Sequence, residues 1–472
     1  MDVEAVEKPG TDEWWFKRLA SELARRRPEV DVLKAWMDGK PPIPAPDNMK
    51  PGFERLQEIA NVNVAELVVE ARLHRMQLLG ASTRADHSAN GDDEVAALFE
   101  AQDLKQKFHQ AFWYALGTRH GYIFLDPPTG DFRVSGPGNS IVARDAFGRV
   151  VAGLNMYRDD VMDRDVLALA RPGYTRYATH DGNTVLPRSR AWTFSPVFWD
   201  LGEPVPHPEG LEDRVLAYEL TTGKSLIEKH LPTLERINHT ILQRMIMFAL
   251  QAFKQRALKN APLNDPGTGE EIDYEGVFES SPDALWLLPE GVEIWESGQA
   301  DMTPILNATR DDLRFLAVTS KTPLYMISPD DANGSAEGAS TQRETLTFDV
   351  EAIVAQLEGE IKRSLSDALL IRGETERADL SEFKLIWSNP RRSSLTERAQ
   401  AAATAAGAGI PFRMVLSKFA EFSPDEVEDA VDMRSEDVFL QSLESGTTGA
   451  STGAQAGAQD VSAGAEPEDG GE

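Results

Sequence analysis

The stretch "ERINHTILQRMIMFALQAFKQRALKNAP", Glu235 to Pro262, sets the tightest limit on how this chain can fold. After Pro232 no Gly or Pro occurs up to Lys259. Proline is tolerated at a helix start but not deep inside one, so the spacing predicts a single helix of roughly 40 Å at about 1.5 Å per residue. From Arg236 to Lys259 there is also no Asp or Glu, while Arg236, Arg244, Lys254, Arg256 and Lys259 are basic. The whole chain, by contrast, carries 77 acidic and 48 basic residues, a formal net charge of −29. Leu234, Ile237, Ile241, Met245, Phe248 and Ala252 form one apolar stripe, and Leu242, Ile246, Ala249 and Phe253 a second beside it. A helix apolar around most of its circumference is packed on several sides.

The segment after this helix is its electrostatic opposite. The insert "LNDPGTGEEIDYEGVFESSPDALWLLPEGVEIWESGQAD" contains Asp265, Glu270, Glu271, Asp273, Glu275, Glu279, Asp283, Glu290, Glu293, Glu296 and Asp301 with no Lys or Arg. A second helix, Pro304 to Ser320, returns from it, and a third long one runs from about Thr341 to Ile371, with Gly359 as a candidate kink. Upstream, Thr11 to Arg27 reads as an amphipathic helix capped by Thr11. "KPPIPAPDNMKP" is a Pro-rich connector, and Asn63 to Leu79 and Glu94 to Leu116 are further helical stretches. Gly121 to Leu220 consists of short β-rich runs split by Gly, Pro and Asp, an antiparallel β region. Downstream, "FKLIWSNPRRSS" is a strand and turn, and Ser394 to Ala406 and Phe412 to Ala420 are helices, with Ser423 capping another. After about Ser442 the chain is Gly/Ala/Ser-rich and acidic, the composition of a disordered tail.

Composition narrows the chemistry. There is no Cys, which excludes disulfides, thiolate metal sites and Cys nucleophiles. No apolar run approaches the ~18–20 residues of a membrane span, and the acidic N-terminus lacks the pattern of a secretory signal. "RVLAYELTTGKSLIEK" has the strand, Gly-Lys-Ser and helix order of a phosphate loop, but Tyr218 stands where the first Gly is needed, so Gly223 to Ser225 reads as a structural turn. "GPGNS" and "THDGN" are β turns first. The paired acids of "YRDDVMDRD" read as a solvated loop rather than a Mg²⁺ site. The eight His residues show no metal-ligand spacing. No catalytic constellation and no cofactor or metal site emerges.

The order of a packed helix, an acidic insert, a return helix, a Gly/Ser/Asn loop and another long helix resembles the portal proteins of long-tailed, siphophage-type bacteriophages. The likeness spans about Asn63 to Glu436. "GKSLIEKHLPTLERIN" resembles the segment entering the family's stem helix, through Gly223, Ser225, Ile237 and Asn238. "IDYEGVFESSPDALWLLPEGVEIWE" resembles the clip, and "TPLYMISPDDANGSAEGASTQRE" the Thr-Pro and Asn-x-Ser-x-Glu stretch, through Thr322, Pro323, Asn333, Ser335 and Glu337. "IWSNPRRSSLTERAQAAATAAGAGIPFRMVLSKFAEFSPDEVEDAVDMRSED" resembles the family's late strand, Asn-Pro turn and helical crown.

The resemblance implies an α+β portal fold: mainly helical wing, stem and crown, an antiparallel β subdomain and a small α/β clip. Its divisions are a wing over 1–225, a stem helix over 226–259, a clip over 260–302 and a return stem helix over 303–321. A tunnel loop, long wing helix and strand occupy 322–392, a crown 393–441 and the tail 442–472. It implies a non-enzymatic, dodecameric homo-oligomeric ring at one capsid vertex of the virion, assembled in the host cytoplasm, with no membrane contact. Double-stranded DNA passes through its axis. The partners implied are the terminase large subunit, the major capsid protein and a head-tail connector protein. Asp330, Asp331, Asn333, Gly334, Ser335 and Glu337 are the expected tunnel-loop residues. Arg244, Lys254, Arg256 and Lys259 are the expected stem bases. Glu270, Glu271, Asp273, Trp286 and Glu290 are the expected docking residues of the clip. Two other classes stay open: a head-completion or capsid scaffold that never encircles DNA, and an enzyme using a carboxylate pair or the Gly223 turn.

Overall fold

The computed structural model describes residues 1–42, 51–86, 91–187, 189–252, 256–262, 264–265, 267–271, 291–296, 301–327, 336–391, 395–422 and 426–436. They fall into two units, one of Met1–His87 with Asp92–Arg391, the other of Ser88–Gly91 with Arg392–Glu472. The secondary structure is mixed helix and antiparallel sheet.

In the first unit, α1 (Val3–Glu7) leads into α2 (Asp12–Met37), whose N-terminus is capped by the Thr11 hydroxyl accepting from the Trp14 N–H. Sequence reading ends this helix at Arg27, before Pro28; the helix instead runs through Pro28 for nine further residues. Burial on both sides of the proline outweighs its missing N–H. Phe16, Leu19, Ala20 and Leu23 enter one apolar core, and Leu33, Trp36 and Met37 enter a second, so α2 joins the two.

The larger core is helical. It gathers α3 (Pro51–Ala60), α4 (Val64–Leu73), α5 (Asp93–Ala101) and α6 (Leu104–Thr118). Two expectations are corrected here. Leu78 and Leu79 belong to strand β1 (Leu78–Ser82), which pairs with a strand far downstream, Lys384–Trp387, rather than to the helix capped by Asn63. The single helix expected over Glu94 to Leu116 is broken at Gln102–Asp103, where Asp103 adopts a left-handed φ of 51°. The break frees the buried Gln102 amide to accept from the Phe132 N–H at 2.8 Å and donate to Asp131 at 2.9 Å.

The β region forms two sheets. β2 (His120–Leu125), β3 (Phe132–Ser135) and β10 (Ala217–Thr221) make a three-stranded sheet in the order β10-β2-β3. β4 (Ser140–Arg144), β5 (Val150–Asp159), β6 (Arg164–Arg171), β7 (Tyr174–Asp181) and β8 (Asp200–Leu201) form an antiparallel meander, with β9 (Val205–Pro206) also on β7. Alternation along β5 sends Ala152, Leu154 and Met156 into the α2 core and leaves Gly153, Asn155 and Tyr157 on the other face. That face meets the small sheet closely: a Cβ on Gly153 would lie 2.4 Å from the Ala217 Cβ, so only glycine fits.

Beyond the sheets come α7 (Leu231–Ala252), β11 (Arg256–Lys259), β12 (Glu293–Glu296), α8 (Thr303–Ser320), α9 (Leu324–Ile327), α10 (Ala336–Ile371) and β13 (Lys384–Trp387). α10 starts five residues before the expected Thr341 and is unbroken at Gly359. Arg72 of α4, 1% exposed, joins these elements. Its Nε donates to Asp349 of α10 at 2.8 Å; its terminal nitrogens donate to the Val68 carbonyl at 2.9 Å, the Thr322 hydroxyl at 3.1 Å and the Ser320 carbonyl.

In the second unit, α11 (Leu395–Gly407) turns through Gly409 into a helical segment over 412–420 whose last part, Val415–Ala420, is π-helical. Arg398 meets Glu421 at 3.6 Å, and Arg434, on a helix over 426–436, lies 4.0 Å over the Phe412 ring.

Arg72→Met should destabilise the first unit by about 3–5 kcal/mol in chemical denaturation, because it removes one partner of a buried ion pair and orphans two acceptors. Thr322→Val, which removes one neutral partner, should cost about 1 kcal/mol.

Candidate channel and assembly surface

α7 and α8 run antiparallel. The Arg236 guanidinium grips both Asp312 carboxylate oxygens at 2.7–3.0 Å, and seven residues further along α8 Thr319 meets His230, just before α7, at 3.4 Å. The inner side of α7 is buried through Leu234, Ile237, Asn238, Ile241 and Leu242, facing Leu316 in the same core. Asn238 is fixed by its side-chain oxygen, which accepts the Val62 N–H at 3.1 Å. Burial then falls along the helix. Met245, Ile246 and Met247 are half-buried and Phe248 is 55% exposed. The absence of acids from Arg236 onward thus has a local cause in the first half of the helix: core contacts take one side, and Arg236 on the other is matched by an acid of the return helix.

The structure corrects the end of the stem. Arg256 and Lys259 are not helical; they lie on β11, whose register sets Arg256 opposite Glu296 and Lys259 opposite Glu293 of β12. A partner strand more than 30 residues away overrides local helix propensity. Arg244 is half-buried on α7, and Lys254 lies outside the described residues. In the acidic insert, Glu270 and Glu271 are exposed, with Glu271 bridged to Asn264. Asp265 closes the intervening turn by accepting the Gly267 and Thr268 N–H groups, which hold its carboxyl below the usual range. Asp273, Trp286 and Glu290 lie outside the described residues. So do Asp330, Asp331, Asn333, Gly334 and Ser335. Glu337 does not belong to a loop: it sits in the first turn of α10.

Sequence reading placed the stem bases on the first helix and missed those on the second. Arg310 and Arg314 are exposed on α8. Arg314 meets Asp311 at 3.4 Å. Leu306, Phe315 and Val318 are exposed on the same helix at 41%, 62% and 78%. Phe315 and Val318, three residues apart, share a face. The signal was present as the four-residue spacing of Leu306, Arg310 and Arg314, overshadowed by the longer first helix.

The motifs weighed for chemistry are absorbed by the fold. The Ser225 hydroxyl is buried, donates to the Gly117 carbonyl at 2.7 Å and accepts the Ile227 N–H at 3.2 Å. His180 meets the Phe198 carbonyl at 2.8 Å. Asp163 and Asp165 pair with Arg158, and Asp159 with Arg164. No helix among the described residues is long and apolar enough to cross a membrane.

No protein-family profile and no curated protein sequence matches the chain. Among solved structures, the chain is similar to one in a structure described as "Neck of empty GTA particle computed with C6 symmetry". The identity is 14%, the match covers 82% of this chain and 91% of that one, and the TM-score is 0.44, too low to decide function.

His230 gives this junction a pH dependence. Burial, then the charges of Lys229 and Arg72, push its pKa from 6.5 down to about 4. The fold therefore holds the neutral imidazole, while the unfolded chain takes up a proton below about 6.5. This contribution to stability is intact above that pH and is lost progressively as pH falls from about 6.5 through about 4. Melting temperatures across that window should fall less steeply in His230→Phe than in the parent chain.

Proposed function

We propose that this chain is a portal protein: the subunit of a dodecameric ring at a capsid vertex through which double-stranded DNA is packaged and ejected. The observation that carries this reading is the antiparallel α7–α8 pair, which leaves Phe248, Leu306, Phe315 and Val318 exposed in the single chain. Exposed apolar side chains along a helical pair call for neighbours, and repetition of one heterologous contact about an axis closes a ring. The sequence motifs that resemble the portal family supply the assignment of that ring to DNA passage.

In this reading the balance of charge suits transport. Duplex DNA carries one phosphate charge per ~1.7 Å of axis, so a uniformly basic bore would hold it and an acidic one lets it slide. Arg310, Arg314 and Arg244 provide limited, spaced contact, while Asp330 and Asp331 line the narrowest part. The strongly acidic 260–302 segment is the docking surface for the terminase large subunit during packaging and for the head-tail connector afterwards. The outer body meets the major capsid protein. No catalytic step is assigned to the chain. The competing reading, a head-completion scaffold that does not encircle DNA, lacks a role for paired helices with both apolar and basic exposed residues.

Phe315→Glu combined with Val318→Glu should abolish closed rings in electron micrographs and light scattering. Folding should be preserved within about 0.5 kcal/mol per site, since both positions are solvent-exposed in the single chain. Unchanged rings would remove α8 from the assembly contact. Asp330→Lys with Asp331→Lys should raise DNA retention with a steeper salt dependence and slow packaging while rings still form. Retention unchanged across salt concentrations would show that these residues do not line the channel.

A further inference from the structure

A second feature of the first unit is independent of the stem. Between the two β sheets and α6 lies a cleft of about 440 Å³, inside the roughly 300–1,000 Å³ of small-molecule sites. Asn155 of β5 lines it and is 1% exposed, yet neither its amide nitrogen nor its carbonyl oxygen has a hydrogen-bond partner. Directly opposite it in the β4–β5 register is Ser140, fully buried, whose hydroxyl is also unpartnered. Orphaned buried polar atoms each cost about 1–3 kcal/mol and are rare in native proteins. Here three of them, on two residues paired across neighbouring strands, lie together, and one of the two residues lines an open cleft.

The charges around the same cleft are unequally matched. Its two acids are already engaged. Asp126 accepts from the Thr129 and Tyr177 hydroxyls at 2.9 and 3.3 Å, and Asp131 accepts from Gln102 and Arg372 at 2.9 and 3.3 Å. Its two cations, Lys107 of α6 and Arg133 of β3, make no ion pair within 4 Å among the described residues. Arg133 instead lies 3.9 Å over the Tyr157 ring. Burial lowers the Lys107 pKa against the pull of Asp131 and Asp103, with Arg133 adding to the lowering. An incoming anion would relieve both.

We propose that this cleft binds a small anionic molecule that presents a paired hydrogen-bond donor and acceptor. Asn155 reads the donor–acceptor edge at the buried end, and Lys107 and Arg133 hold the carboxylate or phosphate. Two kinds of molecule share that chemistry: a nucleoside monophosphate, with its base edge, and an N-acyl amino acid, with its amide.

Titration calorimetry on the full chain distinguishes them, using AMP for the first and N-acetylglycine for the second. Adenosine, inorganic phosphate and acetate each carry only half of the recognition. One of the two complete probes should bind, more weakly as salt rises, and more tightly than its fragments. Asn155→Leu should weaken that binding by about tenfold or more. It should not lower the melting temperature of the unliganded chain, since an apolar residue of similar shape removes the orphaned atoms. Arg133→Gln, at an exposed rim position, should weaken binding similarly and keeps the test informative if the buried substitution perturbs folding. Failure of both complete probes to bind, or binding that survives both substitutions, overturns the proposal and leaves the cleft to ordered water.

Discussion

A guanidinium carries five N–H donors in a fixed planar fork and cannot shed its charge, so burying one obliges the surrounding backbone to come to it. Arg72 is buried in this way near the end of α4, and besides the Val68 carbonyl of its own helix it draws in two other elements: the C-terminus of α8 through Ser320, and the interior of α10 through Asp349. The contact with α8 is electrostatically apt, because the last carbonyls of a helix carry the negative end of its dipole. The same end of α8 closes with Lys321 in the left-handed region, φ 55°, while the Thr322 N–H reaches back to the Ala317 carbonyl at 3.0 Å. Glycine usually takes that position. Lysine holds it here with its ammonium 3.2 Å from Asp349, so the strained residue feeds the carboxylate that Arg72 also uses. Burial pushes the Asp349 carboxyl up, but the Arg72 and Lys321 contacts prevail and leave it below the ordinary range.

This hub fixes where α8 leaves the body, and through the Arg236–Asp312 pair it fixes the line of α7. The two residues that the portal resemblance singles out at this point, Thr322 and Asn238, are both buried hydrogen-bonding residues, one in the hub and one tying α7 to the chain before α4. Their importance is structural in the first instance: they set the direction of the helical pair on which the proposed ring depends.

Elements whose pattern is local were legible in the sequence. The β region, the return helix and the Thr11 cap all follow from turn residues, periodicity and capping chemistry within a few residues. Features that depend on distant partners could not be read. Leu78 is a strand residue because Trp387 lies opposite it, and Arg256 because Glu296 does. Pro28 fails to end α2 because Val30, Leu33 and Trp36 beyond it are buried. Of the candidate site, the helical pair was legible as a pair, but the distribution of its exposed residues was not. Periodicity shows that a helix has an apolar stripe without saying which neighbour covers it.

The same dependence on neighbours redistributes the charge of the helical pair. The acid-free stretch from Arg236 to Lys259 draws attention to its own bases, yet in the folded chain Arg236 is matched by Asp312, Arg256 and Lys259 stand on a strand opposite acids, and Arg244 is only half exposed. The exposed bases Arg310 and Arg314 belong to α8, which looks electrostatically balanced in sequence because Asp311 and Asp312 sit between them. Folding separates those two acids: Asp312 turns inward to Arg236, while Asp311 remains outside beside Arg314. Net charge along a stretch of chain therefore says little about the charge a helix presents. Because one of the two neighbouring acids is drawn inward, two arginines and a single acid are left exposed on this part of α8.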